Sequence, residues 1–188
     1  MENFSKYLDD HIAVVKSLED IKDDIESASY LLSNSLSNGN KIILCGNGGS
    51  ASDAQHIAAE LIGRFKEERK ALAAISLATD TSALTCIGND YGYESIFERQ
   101  LSGIGNSGDV LIAISTSGTS ANVLKAVNYA KKNKIKVITM TGNASCEMNI
   151  QADISIAVPS KITARIQECH ILLGHYLCEL IERHLELV

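Results

Sequence analysis

Five short, continuously apolar runs separated by segments of helical period constrain this chain more than any other feature of its sequence. The runs are 41–45, 71–77, 109–114, 136–140 and 154–158. Strands that are apolar throughout, without alternation, are the kind covered on both faces in a parallel sheet. Between them, 51–65, the stretch around 81–88, 93–103, 121–133 and 163–187 place apolar residues three and four apart, which predicts helices. Strands alternating with helices require right-handed crossovers, so the fold class is α/β. The expected architecture is a flavodoxin-like three-layer sandwich with a five-stranded parallel sheet flanked by helices. At 188 residues, with no internal repeat and no linker, the chain is expected to form one domain.

A long N-terminal helical segment precedes the first strand. Over 2–38, Leu8, Ile12, Val15, Leu18, Ile21, Ile25, Ala28, Leu31, Leu32 and Leu36 recur at helical spacing and end at Asn38-Gly39-Asn40. Its apolar stripe can pack on its own sheet or against another subunit, and both remain open at this level. The N-terminus lacks a basic stretch followed by an apolar one, and no run approaches the ~18 apolar residues of a membrane span. Five cysteines, odd in number and never spaced C-x-x-C, suggest reduced and mostly buried thiols in a cytoplasmic protein.

The net charge of −6, from 23 acids against 17 Lys and Arg, excludes a nucleic-acid surface, which needs a basic footprint. It also argues at first sight against a phosphate ligand. In open α/β sheets, however, ligands gather beyond the carboxyl ends of the strands. The third run leads straight into Ser115-Thr116-Ser117-Gly118-Thr119-Ser120 and then a helix. Unpaired amides and the dipole of a helix N-terminus hold phosphate without Lys or Arg, so an acidic chain can bind it there. Hydroxyls that merely cap the helix are the plain alternative.

The loop after the first run, Gly46-x-Gly48-x-x-Ala51, also fits a dinucleotide fingerprint. That fingerprint wants an acid about 20 positions on, at the end of the second strand. Glu67 and Glu68 fall in a charged connector before that strand, and Asp80 comes some 34 residues after Gly46. A Walker phosphate loop is absent. On the helix that follows, His56 and Glu60 stand at i and i+4 and project from one face, as a metal pair or an acid/base pair would. The closing helix adds Arg165, Gln167, Glu168, His170 and His175. Gln167 and His175 lie about 12 Å apart along its axis. If both serve one site, they come from different chains or one moves.

Gly46-Asn47-Gly48-Gly49-Ser50-Ala51, Asp53-Ala54-Gln55-His56, Ala59-Glu60-Leu61-Ile62-Gly63-Arg64, Gly88-Asn89-Asp90-Tyr91-Gly92, Ile114-Ser115-Thr116-Ser117-Gly118 and Arg165-Ile166-Gln167-Glu168-Cys169-His170 together resemble the sugar isomerase (SIS) family. More narrowly they are similar to its phosphoheptose isomerases, over essentially the whole chain. The resemblance implies a cytoplasmic homotetramer converting sedoheptulose 7-phosphate to D-glycero-D-manno-heptose 7-phosphate, the first step toward ADP-heptose and the lipopolysaccharide core. It implies Glu60 as catalytic base and His175 as partner acid. It implies zinc (Zn2+), one per subunit, on His56, Glu60, Gln167 and His175. Substrate contacts would fall on Asn47, Gly48, Gly49, Glu60, Asn89, Asp90, Ser115, Thr116, Ser117, Ser120 and Gln167. It also implies that residues 1–38 serve oligomerisation. A noncatalytic SIS-fold regulator docking on the bacterial replication initiator is the alternative, although a scaffold has no chemical need for Glu60 and His175 together.

Overall fold

In the computed structural model, which describes residues 3–142 and 144–187, the apolar runs form β1 (Ile42–Gly46), β2 (Ala74–Ser76), β3 (Val110–Ser115), β4 (Lys136–Thr141) and β5 (Ile154–Ala157). All neighbours pair in parallel, in the order β2-β1-β3-β4-β5. Every residue of β1 and β3 is buried, as strands covered on both faces require. The chain leaves β1 to build β2 on one side, then returns to build β3 on the other. β1 and β3 therefore flank the topological switch point. Their register sets Gly46 opposite Ile114, so the loops that follow them lie side by side.

Alternation along the strands divides the core. Ile42, Leu44, Ile112 and Ile114 face one layer, built by α2 (Lys22–Ser37), α3 (Gly49–Ile62) and α8 (Thr163–His184). Ile43, Cys45, Leu111 and Ala113 face the other, built by α4 (Thr81–Tyr91), α5 (Ile96–Ile104), α6 (Ala121–Lys132) and the five-residue α7 (Glu147–Gln151). The sequence patterns do not predict α7. No helix among the described residues is long and apolar enough to cross a membrane.

The expected single helix over 2–38 is divided. The first helix, α1 (Phe4–Lys16), gives way to a 3-10 turn over Ser17–Ile21 before α2 starts. Ser17 Oγ donates to the Val14 carbonyl at 2.7 Å, the local competition that bends a helix, and Leu18 is drawn into the core. No described residue of α1 is buried, and Phe4, Tyr7, Leu8 and Ile12 stand exposed. The two candidate partners of this segment thus separate: α2 packs on its own sheet, while α1 keeps an open apolar face. The expected strand 71–77 shortens to three residues because Leu72 N–H donates to Leu61 at the end of α3, 3.0 Å away. Met1, Glu2, Asn143 and Val188, inside the expected single domain, lie outside the described residues.

Candidate active site

The β1–α3 loop turns sharply because Gly48 takes φ +55°, a conformation that a side chain strains. Gly49 begins α3 beneath the Gln167 side chain, and a Cβ there would stand 2.5 Å from Gln167 Nε2. Glycine at 49 therefore lets α8 bring Gln167 onto the loop. Asn47 is held from two sides. Its Nδ2 donates to Asn122 Oδ1 and its Oδ1 accepts from Asn122 Nδ2, both at 2.8 Å. Tyr93 Oη donates to the same Oδ1 at 3.0 Å. Sequence reasoning singled out Asn47 but missed Asn122 and Tyr93, whose roles appear only when residues 75 and 46 positions from Asn47 meet it.

Across the switch point, the hydroxyls of the β3–α6 loop bond one another and the loop's own backbone rather than the helix. Ser120 is the N-cap of α6 but makes no side-chain cap. Its Oγ instead meets Ser115 Oγ at 3.0 Å, and Ser117 Oγ lies 3.5 Å from Ser115 Oγ. The three hydroxyls form one cluster in front of the α6 N-terminus, where the Val123 N–H donates to Asn122 Oδ1 and the helix dipole favours an anion. Gly118, at φ +68°, closes the turn, and its N–H donates to the Ser115 carbonyl at 3.1 Å. A cavity of about 440 Å³ opens here, lined by Thr116, Ser117, Ser160, Lys161 and Thr163 among others. Asn89 and Asp90 are exposed at the end of α4, where Asn89 Nδ2 donates to Asp90 Oδ1 at 2.8 Å.

A second cluster forms where α3 crosses α8. His56 Nε2 lies 2.8 Å from His175 Nε2 and 3.2 Å from Glu60 Oε1. One donor atom from each of His56, Glu60 and His175 falls within 4.8 Å of the others. Two imidazoles and a carboxylate are a donor set suited to zinc, so the residues present fit that ion. The ring of Phe65, which sequence reasoning did not single out, stacks on His175 at 5.5 Å and 23°.

Nearby ionisable groups feel burial strongly. Asp53, three residues before His56, has one carboxyl oxygen buried without a hydrogen-bond partner. Burial pushes its pKa up to about 6, with the charge of His56 opposing. His170 is fully enclosed. Its Nε2 donates to the Thr141 carbonyl at 3.3 Å, and burial pushes its pKa down to about 4. Of the five thiols only Cys86 is exposed, and burial pushes Cys45 and Cys178 up to about 12.

The candidate residues thus fall into two groups. Asn47, Gly48, Gly49 and Gln167 gather at the start of α3, beside the loop carrying Ser115, Thr116, Ser117 and Ser120. His56, Glu60 and His175 gather toward the far end of α3. Eleven residues separate Gly49 from Glu60, about 16 Å of helical rise.

The SIS domain family matches residues 6–142. The chain is 56% identical to the phosphoheptose isomerase of Helicobacter pylori (strain P12) over 172 residues, 92% of this chain and 90% of that one. It is 52% identical to the phosphoheptose isomerase of Nitratiruptor sp. over 183 residues, 97% and 98% of the two chains. Among solved structures it superposes on phosphoheptose isomerase GmhA of Neisseria gonorrhoeae with a TM-score of 0.90 at 43% identity, covering 96% of this chain and 97% of that one.

Proposed function

We infer that this chain, which belongs to the SIS domain family and within it to the phosphoheptose isomerases, is an isomerase converting sedoheptulose 7-phosphate to D-glycero-D-manno-heptose 7-phosphate. The observation that carries the chemistry is the convergence of His56, Glu60 and His175 on one point. Isomerisation moves a carbonyl from C2 to C1. The Glu60 carboxylate takes a proton from C1, the C1–H electron pair forms the C1–C2 double bond of a cis-enediol, and the C2 carbonyl oxygen gains a proton. His175, which supplies that proton to O2, takes one in return from the O1 hydroxyl. Glu60 then returns its proton to C2, leaving the carbonyl at C1. The Ser115, Ser117 and Ser120 hydroxyls and the α6 N-terminus seat the phosphate, and Asn47, Gly48, Gly49, Asn89, Asp90, Thr116 and Gln167 orient the sugar.

His56, Glu60 and His175 would hold zinc, and Gln167, which stands at the start of α3, would join them from a neighbouring subunit. When bound, the ion supplies a Lewis acid that polarises a carbonyl oxygen. Because the anion seat and the His–Glu–His cluster lie at opposite ends of α3, we assign the working unit to a homotetramer. In it the seat of one subunit faces the cluster of another, and the open face of α1 supplies contact area. In this role the enzyme acts in the cytoplasm, at the first step toward ADP-heptose for the lipopolysaccharide core. The relatives reported above are isomerases and lend no support to an initiator-binding regulator. Purified protein incubated with sedoheptulose 7-phosphate, with and without a chelator, should produce the aldose phosphate. No product under either condition would overturn the assignment.

A further inference from the structure

Residues 63–73, between α3 and β2, form no helix or strand, yet they are anchored by a buried ion pair. The side chains of Arg69 and Glu182 are each 1% exposed, and Arg69 Nε donates to Glu182 Oε1 at 2.8 Å. The rest of the guanidinium fork is spent on backbone. Nη2 donates to the Glu60 carbonyl at 2.8 Å, and Nη1 donates to Leu61, Gly63 and Lys70 carbonyls at 2.8, 3.0 and 3.1 Å. Helix ends leave their last carbonyls without intrahelical partners, and here one side chain takes two of them. Glu182 Oε1 also accepts from Phe65 N–H at 3.3 Å, which fixes the residue whose ring stacks on His175. Lys66 adds an outer tether to Glu179 at 2.7 Å.

A buried ion pair contributes little net stability, because desolvation offsets its attraction, and an apolar pair of similar shape packs as well. The attraction between the two charges therefore does not by itself account for Arg69 and Glu182, whereas their contacts run to both reactive groups: Arg69 holds the carbonyl of Glu60, and Glu182 holds the backbone of Phe65. We propose that Arg69 and Glu182 are positioning residues that set the Glu60 end of α3 and press the Phe65 ring against His175. This rests on the isomerase assignment of Glu60 and His175 above. Planarity matters to the arrangement, since the single ammonium of lysine cannot serve a carboxylate and four diverging carbonyls.

The test replaces both charges at once, so that no unpaired charge is left buried. The Arg69→Met/Glu182→Leu protein loses the backbone contacts along with the charges and should melt below wild type; at a temperature where both are folded, kcat should fall at least tenfold while KM stays within threefold. NMR of the histidine rings, with His175 identified through His175→Gln, supplies a readout independent of turnover. Stacking on Phe65 shields the His175 ring protons, and the double variant should lose that upfield shift. Phe65→Leu should lose both shift and kcat, and Phe65→Tyr should keep both, which carries the test if the double variant does not fold. Wild-type kcat in the double variant or in Phe65→Leu, or an unmoved His175 resonance in either, overturns the proposal. A wild-type chain that does not isomerise the heptose phosphate sinks the activity assignment instead, and the resonance then decides the positioning of His175 on its own.

Discussion

His56 Nε2 and His175 Nε2 face each other at 2.8 Å across the α3–α8 contact. Two imidazole nitrogens at that separation share one proton, or turn their lone pairs to one cation. With Glu60 Oε1 3.2 Å from His56 Nε2, the second arrangement is well supplied with donors. Protein purified without chelator should carry about one zinc per chain by elemental analysis. His56→Ala and His175→Ala should each weaken zinc retention by about tenfold or more. Retention equal to wild type in both variants would remove this cluster from consideration as the metal site.

Glu60→Gln keeps the side-chain volume and a hydrogen-bonding oxygen but removes the base. A positioned general base contributes about 10²- to 10⁴-fold. Turnover should fall about a thousandfold, while substrate affinity measured by calorimetry stays within a few-fold. Retained isomerase activity would clear Glu60 of the proton transfer at carbon.

Asn122 reaches no substrate in the proposed scheme, yet it fixes both polar ends of the Asn47 amide. Asn122→Ala frees that amide to rotate and strands the Val123 N–H that Asn122 Oδ1 accepts at 3.0 Å. KM should rise about tenfold with kcat changed less than threefold. Stability should drop by about 1–2 kcal/mol for the lost buried bonds, read from urea unfolding.

Asp53 and His170 give opposite pH dependences. The Asp53 pKa rises on folding from 3.8 to about 6, so the folded state favours its proton and stability falls as pH climbs through that interval. The His170 pKa drops on folding from 6.5 to about 4, so stability falls as pH descends through that interval, by on the order of 3 kcal/mol. The two slopes oppose each other between about pH 4 and 6. Asp53→Asn should therefore raise the melting temperature at pH 7 and steepen the loss on acidification. His170→Gln should flatten or reverse that loss. Melting curves at pH 7 and 4.5 for the three proteins check both signs.

The exposed side chains of Phe4, Leu8 and Ile12, beside a Tyr7 ring that carries the Arg165 guanidinium on one side, give α1 a largely open apolar face in the single chain. Ile12→Glu places a charge in that face at little cost to the monomer fold, because α1 contributes no buried residue. Light scattering should show a smaller particle than wild type, with loss of isomerase activity in step. An unchanged mass would exclude α1 from the subunit contact.

Strand positions and both ligand loops were legible because each is written in a contiguous stretch: an apolar run, then Gly-, Ser- or Asn-rich residues, then a helix. Whether Ser120 Oγ bonds the helix or Ser115 was not, since that is a matter of rotamer. The break at Ser17 escaped because the apolar period runs on through the 3-10 turn. Nor could the pattern show that Leu72 would be held to α3 rather than extend β2. Asn47 with Asn122, and Arg69 with Glu182, are 75 and 113 residues apart in sequence. Such pairings carry no local signal and become visible only in three dimensions.

The reliance of α3 on α8 bears on the order in which a nascent chain becomes competent. Chains fold from the N-terminus as they leave the ribosome, and every strand precedes the 22-residue α8. Until that last helix is synthesised, Glu60 has no His175 opposite it, Gly49 has no Gln167 above it, and Arg69 has no carboxylate to anchor it. In the proposed scheme a nascent chain that holds all five strands but not yet α8 lacks the partners of Glu60, Gly49 and Arg69 and does not turn over.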